Sequence, residues 1–84
     1  MIAKVYVTPK PAILDPQGKA VASSLASLGY DEVSDVRLGK LIHIRMNGSD
    51  SESARARVEE MCRRLLANEV IEDFSFELVE DMGE

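Results

Sequence analysis

Val33-Ser34-Asp35-Val36-Arg37-Leu38-Gly39-Lys40-Leu41-Ile42-His43-Ile44-Arg45-Met46 is the stretch on which the fold turns. It reads as two strand-like runs divided at Leu38-Gly39-Lys40, where Gly39 offers the positive φ of a tight hairpin. Side chains alternate between the two sides of a strand, so Ser34, Val36 and Leu38 share one face of the first run. In the second run Ile42, Ile44 and Met46 share a face, while Leu41, His43 and Arg45 stand opposite. Working outward, Ala3, Val5 and Val7 alternate with Lys4, Tyr6 and Thr8. Near the other terminus Phe74, Phe76 and Leu78 alternate with Asp73, Ser75, Glu77 and Val79. Both patterns have the period of two that marks a strand with one buried side. Four strands are expected.

Two helices separate them. Asp15-Pro16-Gln17-Gly18 is a helix start, with Asp15 able to accept hydrogen bonds from free N–H groups and Pro16 at the first helical position, where no bond is lost. Val21, Leu25 and Leu28 recur at helical spacing, and Gly29 supplies the stop, giving a helix of about 14 residues. After Asn47-Gly48, the run Ser49-Asp50-Ser51-Glu52 resembles a capping box opening a second helix. Val58, Met61, Cys62, Leu65 and Leu66 form its apolar stripe, and Asn68 is expected to end it in the left-handed conformation. The order βαββαβ is that of a ferredoxin-like α+β fold: a four-stranded antiparallel sheet with both helices on one face. Residues 1–84 form a single domain on this reading, with an ordered core over about 2–80 and a frayed tail, Asp81-Met82-Gly83-Glu84.

At 84 residues the core must be thin, because folding at this size buries only about 60% of the chain's accessible surface. Disulfides and closed zinc sites are ruled out by composition, since the chain has one cysteine, Cys62, and one histidine, His43. A second copy, as a homodimer or homotetramer, is the expected source of extra stability. A net charge of −5 opposes a phosphate backbone, so no nucleic-acid partner is expected. Met1-Ile2-Ala3-Lys4-Val5 does not lead into a signal-like apolar run, and no stretch suits a bilayer. A cytoplasmic protein without a membrane partner is expected.

No residue set amounts to an active site. Cys62 lies in an apolar stripe, where thiols are inert. Glu72 and Asp73 are neighbours on a strand and project to opposite faces, so they cannot converge as acid and base. His43 beside Arg45 reads as an exposed or interface histidine. The five glycines are scattered singly and make no phosphate cradle. The open sheet face carries one aromatic residue, Tyr6, too few for an RNA-stacking sheet. No catalytic, cofactor-binding or metal-ligating residue is expected. The expected partner interface is Arg37 and Lys40 about the Gly39 turn, with Tyr6, His43 and Arg45 on the open sheet face. Asp15, Pro16, Gly18, Gly39, Asn68 and Glu72 are expected to shape the backbone.

Three segments go beyond fold-level analogy: Leu14-Asp15-Pro16-Gln17-Gly18, Asp35-Val36-Arg37-Leu38-Gly39-Lys40, and Leu65-Leu66-Ala67-Asn68-Glu69-Val70-Ile71-Glu72-Asp73. In order and spacing, from about Lys4 to Glu80, they resemble the signatures of the PurS family, the small subunit of phosphoribosylformylglycinamidine synthase. Glu69 stands where that family commonly has proline, and Phe74 where it has tyrosine. The resemblance implies a non-catalytic subunit of an ATP-dependent amidoligase of purine biosynthesis. In that enzyme a PurL-type synthetase holds ATP and magnesium, a PurQ-type glutaminase releases ammonia, and PurS subunits bridge the two. The alternative of the same element order is an ACT-like module that binds small molecules. It would need a glycine in the turn after the first strand, where Pro9-Lys10-Pro11 stands.

Overall fold

The strand Ile2–Pro9, β1, owes its central place to the apolar series Ala3, Val5 and Val7, which is fully buried or nearly so. It pairs antiparallel with β2, Lys40–Arg45, on one side and with β3, Glu72–Val79, on the other. Val5 faces Ile42 and Phe76 across the two ladders, and Ala3 faces Ile44 and Leu78. In these two rows one face of the sheet is apolar from edge to edge. The computed structural model describes residues 1–48 and 50–80. Between the strands lie α1, Pro16–Ser27, and α2, Ser51–Met61, the latter continuing into a wider π turn over Cys62–Leu66.

The α+β class holds, but the sheet has three strands in the order β2-β1-β3. The expected strand over 33–38 does not form. Its backbone is drawn away from β2: the Leu38 N–H donates to Asp15 Oδ2 at 2.8 Å, and the Arg37 guanidinium reaches back to the carbonyls of Pro11 and Ile13. Gly39 does not take a positive φ, as Gly29 and Gly48 do. It is needed for closeness instead, since a Cβ there would lie 2.5 Å from the Val7 carbonyl oxygen and 2.9 Å from Thr8 Cγ2.

The expectation that both helices cover the sheet is also corrected. Only α2 does, placing Val58 and Cys62 on Val5 and Val7 in the core cluster, to which α1 contributes no residue. Val21 and Leu28 of the first helix are 38% and 73% exposed. The radius of gyration is 16.3 Å, against about 12 Å for a compact chain of this length. The chain measures 48 × 32 × 15 Å, a sheet with one helix on it and residues 10–39 held out as an arm.

Local signals fared better. Asp15 caps α1 through Gly18 N at 2.9 Å with Pro16 following, and Gly29 at φ +97° ends it, with Tyr30 N bonded to Leu25 O. The cap of α2 is Asp50, one residue later than expected, accepting from Glu52 N and Ser53 N. Ser49 and the tail 81–84 lie outside the described residues. Asn68 is not left-handed, as no described non-glycine residue has positive φ. The π turn, closed by Ala67 N to Cys62 O, delays the helical phase. Leu66 and Ala67 therefore turn to the core and Leu65 is left 83% exposed.

Candidate functional site

The three signature segments, far apart in sequence, meet at the Pro9 end of the sheet. Asp15 is the hub. One carboxylate oxygen caps α1 at Gly18 and the other holds Leu38 N. These two bonds, Leu38 first, together with the Arg37 charge, keep its carboxyl below the ordinary carboxylate range. Arg37 Nη1 donates to Ile13 O at 2.5 Å and Nη2 donates to Pro11 O. Gly18 is buried against this turn, and a Cβ there would overlap the Val36 carbonyl oxygen. The first two segments thus form one clamp, around a shallow cavity of about 110 Å3 that Leu14, Lys19 and Asp35 help to line.

The third segment lies alongside. Asn68 closes the turn into β3: its carbonyl accepts from Ile71 N and Glu72 N, its Oδ1 accepts from Val70 N, and its own N–H donates to Glu72 Oε1 at 2.8 Å. The other oxygen of Glu72 faces Lys40 Nζ at 3.9 Å, tying β3 to the start of β2. Lys10, which sequence reasoning passed over, adds a backbone bond to Ile71 O at 2.9 Å and an ion pair to Asp73 at 2.6 Å. Arg63 was missed as well. It pairs with Glu69 at 2.6 Å and stands over the Phe74 ring, in a groove of about 540 Å3. Lys10 has no local signal, because Asp73 lies 63 residues along the chain, whereas Arg63 has Glu59 one helical turn before it and Glu69 six residues after it.

The five residues expected at a partner interface fall in three places. Tyr6, His43 and Arg45 share the sheet face that no helix covers, with Lys4 opposite His43 and Leu41 opposite Tyr6 in the β1/β2 ladder. The Tyr6 hydroxyl donates to Glu77 at 3.2 Å, and desolvation together with that carboxylate raises its pKa. Lys40 lies on the helix side, opposite Val7, and Arg37 lies in the clamp. Cys62 is fully buried, and burial pushes its thiol pKa up. Among the described residues no three His, Cys, Asp or Glu side chains are placed to hold a metal, and no helix is long and apolar enough to cross a membrane. What this end of the sheet does chemically is hold backbone. Asp15, Arg37, Lys40, Glu72, Lys10 and Asp73 are each occupied by the chain's own carbonyls, amides or ion partners.

Residues 2–80 match the family described as PurS: phosphoribosylformylglycinamidine (FGAM) synthase. The chain belongs to the PurS family. Among relatives, the phosphoribosylformylglycinamidine synthase subunit PurS of Bacillus subtilis is 49% identical over 77 residues, covering 92% of this chain and 90% of the relative. A solved B. subtilis PurS chain superposes with a TM-score of 0.80 at 48% identity, over 94% of this chain and 98% of the other. That coverage takes in the arm as well as the sheet. A chain of a solved PurLQS structure from Thermotoga maritima matches with a TM-score of 0.78 at 28% identity, over 92% of this chain and 96% of that one. The role of this PurS-family chain is therefore that of a subunit of FGAM synthase, in purine biosynthesis.

Proposed function

We propose that this chain is a non-catalytic, cytoplasmic assembly subunit that joins a PurL-type synthetase to a PurQ-type glutaminase and works as a homo-oligomer. The observation that carries the reading is the likeness to a chain of the T. maritima PurLQS structure. ATP and magnesium belong to the synthetase on this reading, and ammonia is made on the glutaminase. Tyr6, His43 and Arg45 on the uncovered face meet the partner subunits, and Lys40 joins them from the other side of the sheet at the head of β2. Arg37 acts through the turn it holds, since its guanidinium is already engaged by Pro11 and Ile13. The finer four-stranded arrangement belongs to the assembled state, where the free edges of β2 and β3 have company.

Reconstitution tests the proposal. Given phosphoribosylformylglycinamide, glutamine and ATP, purified synthetase and glutaminase should form FGAM slowly alone and faster when this chain is added, up to a fixed ratio, and the three should co-elute. Glutamine-dependent activity indifferent to the chain would overturn the bridging role.

A further inference from the structure

The join between β2 and α2 carries chemistry that the assembly role leaves unused. Asn47-Gly48 is the chain's one Asn-Gly pair, and the other asparagine, Asn68, precedes Glu69. Asparagine is a thermolabile residue, because the backbone nitrogen that follows it can attack its side-chain carbonyl carbon and expel the amide. The attack needs a nitrogen that no side chain shields, an N–H that no hydrogen bond holds, and a backbone free to turn.

Gly48 meets all three conditions. It has no Cβ, and its φ of +101° lies in a region open to glycine. Apart from its chain neighbours, no atom stands within 4 Å of where a Cβ would lie. The sheet ends just before it, with Ile2 opposite Arg45 and Met46 N bonded to Met1 O at 2.8 Å. The cap of α2 begins just after it, with Asp50 accepting from Glu52 N and Ser53 N. Among the described residues, neither the Gly48 N–H nor the Asn47 side chain has a hydrogen-bond partner, and both residues are exposed. Asn68 is the opposite case. Its Oδ1 is taken by Val70 N, its carbonyl by Ile71 and Glu72, and the nitrogen that would attack carries the Glu69 side chain beside it.

We infer that Asn47 is a site of spontaneous, glycine-assisted deamidation whose isoaspartyl product loosens α2 from the sheet. The Gly48 nitrogen bonds to Asn47 Cγ and gives up its proton, the side-chain amide leaves as ammonia, and a succinimide ring remains. Water then opens the ring. Addition at Cγ leaves aspartate, and addition at the main-chain carbonyl leaves isoaspartate, whose backbone is longer by a methylene. Either product adds a negative charge to a chain that carries −5. That charge falls in a groove of about 390 Å3 lined in part by Met46, Ala54 and Arg57, where Arg57 and the N-terminal end of α2 favour it. The extra methylene falls in the connection between Met46 and the Asp50 cap, which sets where α2 lies on the sheet.

The test ages the folded full chain at neutral pH and follows its tryptic peptides 46–55 and 65–84 by mass spectrometry. Peptide 46–55 should convert to two products in which OH replaces NH2, with ammonia released, while 65–84, which holds Asn68, stays unchanged. The aged chain should accept methyl groups from a protein isoaspartate methyltransferase. Asn47→Gln, which would have to close a larger and slower ring, should abolish that acceptance. Peptide 46–55 staying intact in the folded chain while the free peptide of the same sequence converts would overturn the site, as would conversion of Asn68 at an equal rate. The methyl-accepting chain should also melt below fresh Asn47→Asp, which carries the charge without the methylene. Equal melting temperatures would overturn the loosening of α2.

Discussion

Val58 and Val21 are both valines on amphipathic helices of the same short chain, yet the first is wholly buried and the second is 38% exposed. α2 and the three strands are held by apolar contact, with Val5, Val7, Val58 and Cys62 fully enclosed. The arm is held by polar geometry: a capping carboxylate with two amides, a guanidinium on two carbonyls, and two glycines that let backbones touch. The difference is one of cause. Apolar burial is non-directional and makes a body, whereas hydrogen bonds are directional and can fix an extended shape that has no core of its own.

The largest expected effect breaks the body. Val58→Asp places an unpaired charge among Ala3, Val5, Val7 and Cys62, which costs more than about 4 kcal/mol. Small domains have little more than that in reserve, so cooperative melting of the purified variant, followed at 222 nm, should disappear. A sharp transition retained near the parent temperature would mean that α2 is not what holds the sheet.

Gly39→Ala strikes where arm meets body. The new methyl group meets Val7 O and Thr8, and forced overpacking of this kind costs about 1–3 kcal/mol. The melting temperature should fall by several degrees, and cleavage by trypsin at Arg37 should quicken. Resistance equal to the parent's would show that the turn relaxes easily.

Asp15→Asn leaves an oxygen to cap Gly18 and removes the charge that the two amides favour. The Gly18 and Leu38 amide resonances should shift in the variant while those of Val5 and Val58 stay in place. In the parent, the carboxyl is lowered on folding, so its contribution is complete above its ordinary pKa of about 3.9 and is lost as the pH falls through the lower folded value. A titration from pH 7 to pH 2 should therefore move the Gly18 and Leu38 amides together below pH 4. Their titration at or above the ordinary value would refute the clamp.

Arg57→Ala should do least. Its pair with Glu60 at 3.4 Å is solvent-exposed, and such pairs are worth about 0.2–1 kcal/mol. A melting shift comparable to that of Gly39→Ala would show that Arg57 has a role in the groove beside Met46.

How far the sequence could be read follows the same division. The apolar alternation of β1, β2 and β3, the caps at Asp15 and the stop at Gly29 were legible, because each depends on a few neighbouring residues. So was the family, through three short segments. The run from Ser34 to Leu38 looked like a strand because alternation records only which side chains can share a face. It does not record whether a neighbouring edge is within reach. Asn68 looked like a left-handed helix stop, but its carbonyl and side chain were claimed by Val70, Ile71 and Glu72. Leu65 looked buried because an α-helical period was assumed through a π turn. At the site, Asp15, Gly18, Gly39 and Glu72 make the backbone contacts described above, while the tie of Lys10 to Asp73 spans 63 residues and has no local signal.

The sequence by itself determined the local elements, the buried series of each strand and of α2, and membership of the PurS family, since these are written in spacings of a few residues. Only the tertiary structure decided that Asp15 and Arg37 join two distant segments into a clamp, that this clamp denies residues 33–38 a place in the sheet, and that α1 stands away from the core. Those outcomes depend on which of several possible partners a carboxylate, a guanidinium or a strand edge finds within about 3 Å, and that is a property of the folded chain in space.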